Sequence, residues 1–236
     1  LSEFKDGIED SNLVFLIGFP RSGTTLLDTI LRSHKDIEVL EEKPMIPIIE
    51  NLVQEKLNIE LDNIFNISEN NIIFLRQKYL ELLKSYRSKK TSLIIDKFPL
   101  HTSSIPLINL IFPNSKFIFS HRHPYDTVLS CFQQIFKPNE AMANFVDLKS
   151  SSRLYDKVMG AWDIYKRELS LKFITSRYEH LIEDFDGHTL KILEFLGVGW
   201  DENVKNYRKT ALERGKINTP SSSQVVQPLY KTSIQK

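Results

Sequence analysis

The sequence predicts an α/β fold, a parallel sheet flanked by helices on both faces, and three observations carry that expectation. Short apolar runs without polar alternation recur along the chain, stretches with apolar residues at helical spacing separate them, and glycine or proline marks many of the junctions. Strands that alternate with helices pair in parallel through right-handed crossovers. At 236 residues the chain can bury such strands on both faces within one domain. That domain is expected over residues 1–236, with a lead-in over 1–12 and an irregular segment over 216–236 suited to covering a site.

The first run, Leu13-Val14-Phe15-Leu16-Ile17, ends at Gly18 and Pro20 and reads as a strand buried on both faces. Leu26, Leu27, Ile30 and Leu31 follow at helical spacing with Thr24 or Thr25 at the helix start, so strand, glycine loop and helix come in succession. A second helical stripe joins Ile72, Leu75, Tyr79, Leu82, Leu83 and Tyr86, and a basic turn leads from it to the strand Leu93-Ile94-Ile95. Leu107, Leu110 and Ile111 share one face of a helix over residues 103–111, which Pro113-Asn114-Ser115 breaks before the strand Lys116-Phe117-Ile118-Phe119. Pro124 opens another helix, with Val128, Leu129, Phe132 and Ile135 on one side. A longer helix over residues 155–168 leads to Leu171-Lys172-Phe173-Ile174, and a last helix over residues 189–196 closes at Gly197. After Pro220 the chain turns serine-rich and loses both periodicities.

Lysine and arginine number 31 against 30 aspartates and glutamates, so no long-range field draws the protein to nucleic acid or anionic lipid. Any anion site must come from local placement of charge. One cysteine, Cys131, forms no internal disulfide, which fits a reducing, cytoplasmic setting. No apolar run approaches the roughly 20 residues of a membrane span, and the opening Leu1-Ser2-Glu3-Phe4-Lys5-Asp6 lacks a signal-peptide pattern. A start without methionine accommodates a removed N-terminal domain or signal. The sequon Asn66-Ile67-Ser68 is of a kind that commonly arises by chance.

The spacing of Gly18, Gly23 and Thr24-Thr25 matches the phosphate-binding P-loop pattern, except that threonine stands where the nucleotide-binding lysine is expected. Backbone N–H groups around Ser22 to Thr25 and the start of the helix can still cradle an anion, with Arg21 and the hydroxyls of Ser22, Thr24 and Thr25 as further donors. A metal-dependent kinase would add a carboxylate after a second apolar strand, a place Asp96 could fill, but the missing loop lysine and the adjacent Lys97 favour neutralisation by side chains.

Pro20-Arg21-Ser22-Gly23-Thr24-Thr25-Leu26-Leu27 resembles the 5′-phosphosulfate signature of sulfotransferases. Phe112-Pro113-Asn114-Ser115-Lys116-Phe117-Ile118-Phe119, continued by Arg122-His123-Pro124-Tyr125-Asp126 and Ser130, resembles their 3′-phosphate segment. The resemblance implies a P-loop-like α/β fold, with 3′-phosphoadenosine 5′-phosphosulfate as donor and no metal. It also implies 3′-phosphate contacts from Arg122 and Ser130, which lie at a strand end and about two turns into the next helix and so can converge on one dianion. Tyr178-Glu179-His180-Leu181 is similar to the family's tyrosine-acid segment, where the tyrosine holds the adenine end. The stretch from Thr219 to Tyr230 resembles the closing segment of tyrosylprotein sulfotransferases and of bacterial sulfotransferases that carry tetratricopeptide repeats. In the latter the repeats precede the catalytic domain, so an N-terminal repeat domain is expected to be missing here.

From the same resemblance, Glu42 is the base that takes the acceptor proton and Lys97 neutralises the oxygen of the departing nucleotide. Ser221 matches a serine that assists at the phosphosulfate. His101 is a substitute base ranked below Glu42, and Lys216 is a further candidate for the 3′-phosphate. Pro44 stands where tyrosylprotein sulfotransferases place a substrate-seating arginine, so the acceptor hydroxyl is left open among peptide tyrosine, carbohydrate and small molecule. Two alternatives stand beside this reading: a magnesium-dependent P-loop kinase using Asp96, and a nucleotide-binding module without catalysis.

Overall fold

The computed structural model describes residues 9–134 and 142–214. Ser221, Lys216, the segment over 216–236, Ile135 and the first eight residues lie outside the described residues.

Five parallel strands form one sheet: β1 (Leu13–Gly18), β2 (Ile37–Glu41), β3 (Leu93–Lys97), β4 (Lys116–His121) and β5 (Lys172–Arg177), in the order β2-β3-β1-β4-β5. The apolar run that predicts β1 places it at the centre, with every residue buried. Alternate side chains divide between the two faces. Leu13, Phe15, Ile17, Ile94 and Phe117 pack with Tyr79, Phe112 and Trp162 on one side, and Val14, Leu16, Ile95 and Ile118 pack with Leu27, Ile30 and Leu193 on the other. The first side is covered by α2 (Met45–Asn51), α3 (Glu69–Tyr86), α4 (Ile105–Ile111) and α6 (Leu148–Glu168), the second by α1 (Thr24–Arg32), α8 (Phe185–Leu196) and α9 (Tyr207–Glu213). Helices α5 (Pro124–Phe132) and α7 (Tyr178–Glu183) follow the ends of β4 and β5, and α7 adds Leu181 and Ile182 to the second side.

The expected elements are present with displaced ends. Helices α3, α6 and α8 begin before the apolar stripes that predict them, because Ser68, Asp147 and Asp184 cap them by accepting from the N–H groups of Asn71, Ser150 and Gly187. A cap fixes the start of a helix wherever its side chain meets an orphan donor, one turn ahead of the first buried residue if need be. Strand β3 extends through Asp96 and Lys97, so Lys97 is the last strand residue rather than the first loop residue. The helix expected over 103–111 divides into a tight turn, Pro99–Ser104, and α4.

Strand β2 and helix α2 are absent from the sequence reading. Two glutamates interrupt the apolar pattern of Ile37-Glu38-Val39-Leu40-Glu41, yet Glu38 is buried. Its carboxylate accepts from the N–H groups of Ser88 (2.7 Å) and Lys89 (3.1 Å), the Ser88 hydroxyl (3.0 Å) and Arg87 Nε (3.3 Å). Burial alone would raise its pKa, but these bonds outweigh burial and hold it below the usual value.

Candidate active site

The strand register brings the carboxyl ends together. Leu16 of β1 lies beside Lys97, Glu41 beside Lys97, Gly18 beside Ser120, and His121 beside Arg177. Sequence order reverses at central β1, and in open parallel sheets that switch point is where ligands bind.

The loop between Gly18 and Thr24 is pinned from below. Gly18 donates its N–H to Thr102 Oγ1 (3.1 Å), which donates in turn to the Gly18 carbonyl (2.9 Å). Ser120 Oγ donates to the Ser22 carbonyl (2.9 Å), and Cys131 Sγ to the Pro20 carbonyl (3.2 Å). Burial pushes the Cys131 thiol up to about 12, so it keeps its proton and its bond to the loop. Arg21 sits at φ 69° and Gly23 at φ 98°. A Cβ at Gly23 would lie 2.8 Å from Tyr178 Cδ2, so the glycine allows both the left-handed turn and the close approach of that ring. Ser22 Oγ is buried with no hydrogen-bond partner, which is an unusual state for a hydroxyl and fits a loop built to meet an anion.

On the β4 side, Arg122 lies with its guanidinium 4.9 Å from the centre of the Tyr178 ring and 3.7 Å from Asp126, and its Nε is buried without a partner. Ser130 accepts from Arg21 Nε (3.0 Å), which ties α5 to the loop arginine. Tyr178 opens α7 directly after the last residue of β5. Next to it, Glu179 accepts the N–H of His123 (2.8 Å) and Arg177 Nε (3.1 Å). Burial raises the Glu179 pKa, but the N–H groups of His123 and of Glu179 itself, with Arg177, more than reverse that and hold it below the ordinary carboxylate value.

On the β3 side, Lys97 is completely buried, and its Nζ donates to Glu41 Oε1 (3.1 Å) and Glu42 Oε1 (3.0 Å). Glu42 continues the ladder through its N–H to the Lys97 carbonyl (2.8 Å) and then turns at φ 47°. The two glutamates differ: the Glu41 side chain is 8% exposed and also takes Arg214, while Glu42 is 34% exposed. Arg214 reaches Asp28 as well (3.5 Å), and Asp28 pairs with Arg32 (2.7 Å). Both Arg21 and Glu42 therefore hold a backbone conformation that costs about 1 kcal/mol or more for a side-chain-bearing residue, an outlier pattern that clusters at functional sites.

Asp96 alternates to the opposite face. It is buried, accepts from the Tyr79 hydroxyl (2.8 Å), and has its pKa raised to about 7, chiefly by burial. That orientation takes it away from the loop and removes the carboxylate on which the kinase alternative depends. His101 is buried with neither ring nitrogen bonded, stacked on Phe98 at 4.6 Å, and burial pushes its pKa down to about 3. The residues that sequence reasoning missed are Arg214, Asp28 and Arg32 around Glu41, and Thr102 and Cys131 beneath the loop. Asp28 directly follows the loop signature, Cys131 directly follows Ser130 and Thr102 comes five residues after Lys97, whereas Arg214 stands near no recognised motif.

A model of the sulfotransferase family matches residues 13–202, and the chain belongs to that family. It is 24% identical over 246 residues to protein-tyrosine sulfotransferase 1 of Danio rerio, covering 97% of this chain and 66% of that protein. It is 27% identical over 247 residues to protein-tyrosine sulfotransferase of Drosophila melanogaster, covering 95% and 46%, and 28% identical over 231 residues to an uncharacterized protein of Aquifex aeolicus, covering 94% and 30%. The chain thus spans between about a third and two thirds of these relatives. Among solved structures, the sulfotransferase domain from the Curacin biosynthetic pathway aligns with a TM-score of 0.61 at 17% identity, covering 94% of each chain. The sulfotransferase domain from the Synechococcus PCC 7002 olefin synthase aligns with a TM-score of 0.56 at 20% identity, covering 100% of this chain and 96% of that one. These two likenesses establish a shared α/β fold. Among the described residues no helix is long and apolar enough to cross a membrane.

Proposed function

We propose that this chain moves a sulfuryl group from 3′-phosphoadenosine 5′-phosphosulfate to an acceptor hydroxyl. The observation that carries the reading is the buried Lys97 held against Glu42 on the strand next to the anion-seeking loop. The donor supplies the activated sulfuryl group. Arg21, Ser22, Gly23, Thr24 and Thr25 would hold its 5′ end by backbone N–H groups and hydroxyls, with Ser22 Oγ gaining the partner it lacks. Arg122 and Ser130, which also accepts from Arg21, would take the 3′-phosphate, with Tyr178 against the adenine end. Ser221 remains proposed as an assistant at the phosphosulfate.

In the transfer, the acceptor oxygen bonds to sulfur as the bond from sulfur to the phosphate oxygen breaks, and the electron pair leaves with the nucleotide. Glu42, the more open of the two glutamates, accepts the acceptor's proton, and Lys97 neutralises the oxygen that departs. Positioning and charge stabilisation supply the rate in an in-line transfer of this kind.

The test is to titrate adenosine 3′,5′-bisphosphate and, separately, ADP with magnesium, and then to look by mass spectrometry for the gain of one SO3 on tyrosine peptides, saccharides and phenols supplied with the donor. The bisphosphate binds more tightly, and the labelled panel member names the acceptor class. Tighter binding of ADP with magnesium would overturn the reading. Glu42→Gln keeps bisphosphate affinity while slowing turnover by about 100-fold.

A further inference from the structure

The Arg122 and Tyr178 side chains come from different strand ends, and their own contact is not enough to fix them. The guanidinium lies 4.9 Å from the ring centre, and its ion pair with Asp126 spans 3.7 Å between partly exposed groups. Surface pairs of that kind add little rigidity. The rigid element is the residue between the two turns. Glu179 is 9% exposed, and one carboxylate oxygen accepts the His123 N–H at 2.8 Å, the peptide group that directly follows Arg122. The other oxygen accepts Arg177 Nε at 3.1 Å, on the residue that directly precedes Tyr178. A single carboxylate therefore joins the turn after β4 to the turn after β5. Tyr178 is also confined from the far side, since its Cδ2 lies 2.8 Å from where a Gly23 Cβ would stand.

We propose that Glu179 is the positioning residue for recognition of the donor's 3′-phosphate. It fixes the Arg122 peptide relative to Tyr178, so that the guanidinium presents its unpartnered Nε edge at one place rather than sampling several. The inference rests on the donor reading above, and it makes a finer demand. A residue that only stabilised the fold would, when removed, weaken every nucleotide alike. A residue that positions Arg122 controls the preference for nucleotides bearing a 3′-phosphate over those without one.

The experiment measures calorimetric affinities of the whole chain for adenosine 3′,5′-bisphosphate and for 5′-AMP. The wild type prefers the bisphosphate. Glu179→Ala lowers that preference by roughly tenfold, the size of one lost charge-assisted bond, while 5′-AMP affinity stays within about threefold. Glu179→Gln, whose amide oxygen still accepts the His123 N–H, keeps most of the preference. In an Arg122→Ala background, Glu179→Ala no longer changes the ratio, because the group it positions is gone. Should Glu179→Ala not fold, Glu179→Asp, whose carboxylate falls short by one methylene, reads the same ratio and lowers it. Equal loss for both nucleotides, or a preference retained in Glu179→Ala, overturns the inference while leaving the donor reading standing. A wild type with no preference for the bisphosphate overturns the donor reading and this inference with it.

Discussion

The two ends of the candidate site solve the same electrostatic problem in opposite ways. Around the loop and β4, polar groups are buried ahead of any ligand: Ser22 Oγ and Arg122 Nε have no hydrogen-bond partner, and the Arg122 guanidinium has a long contact with Asp126 and lies over the Tyr178 ring. Around β2 and β3, the cations Lys97, Arg214 and Arg32 interlock with the carboxylates Glu41, Glu42 and Asp28. The first region carries a desolvation cost that an incoming anion would relieve, so binding and relief coincide. The second is balanced in charge, although Arg32 Nη2 is buried without a hydrogen-bond partner, and in the proposed transfer the Lys97 ammonium would still have a third N–H, beyond those given to Glu41 and Glu42, for the departing oxygen. Of the two glutamates, Glu42, more exposed and without Arg214, is the less tightly held.

The largest effect separates the regions outright. Lys97→Met leaves Glu41 and Glu42 facing each other without their shared cation, and breaking a buried ion pair from one side costs about 3–5 kcal/mol. Denaturant unfolding should show that loss, and turnover should fall by about 100-fold or more. Adding Glu41→Gln should restore much of the stability and none of the turnover, since it relieves the uncompensated charge but supplies no cation. Recovery of turnover in the double variant would mean that Lys97 acts only as a structural counter-ion.

Arg122→Ala should show the reverse balance. Its contact with Asp126 is long and partly exposed, so stability should change by less than about 1 kcal/mol. Affinity for adenosine 3′,5′-bisphosphate should fall by about 10- to 100-fold, the range of a charged hydrogen bond. A variant that unfolds as readily as Lys97→Met would erase the distinction between an end prepared for a ligand and an end balanced within itself.

The contrast also governs what could be read from the sequence. The loop, the central strand and Arg122 are local: glycine spacing, an unbroken apolar run and a strand-to-helix junction announce them within about ten residues. The balanced end is not local. Glu38 interrupts β2 as a charged residue would on any surface, and its burial depends on N–H groups that lie 50 and 51 residues on. Arg214 meets Glu41 and Asp28 across 173 and 186 residues, so no spacing rule could pair them. Glu42 was legible as a chemical candidate, whereas its place beside Lys97 required the unseen strand. Asp96 misleads for the same reason: its residue type fits a metal ligand, and only strand alternation turns it toward Tyr79.

Asp96 provides the smallest predicted effect and one confined to stability. Its carboxyl titrates near the usual 3.8 when unfolded and at about 7 when folded, because burial opposes the charged form more than Tyr79 and Lys97 favour it. Between those values the folded protein holds a proton that the unfolded chain has lost. Folding stability should therefore be greatest below the unfolded value and decline as pH rises from about 4 to about 7, levelling off above. The direction is opposite to that of Glu179, whose depressed pKa adds stability above its unfolded value and loses it as pH falls. Asp96→Asn keeps an acceptor for the Tyr79 hydroxyl and has nothing to titrate, so unfolding measured across that interval should lose the decline while bisphosphate affinity stays unchanged. An unaltered slope in Asp96→Asn would mean that the carboxylate is ionised in the folded core, with Lys97 supplying its balance. Lys97 would then answer to carboxylates on both faces of the sheet, and the division between the balanced cluster and the core behind it would not hold.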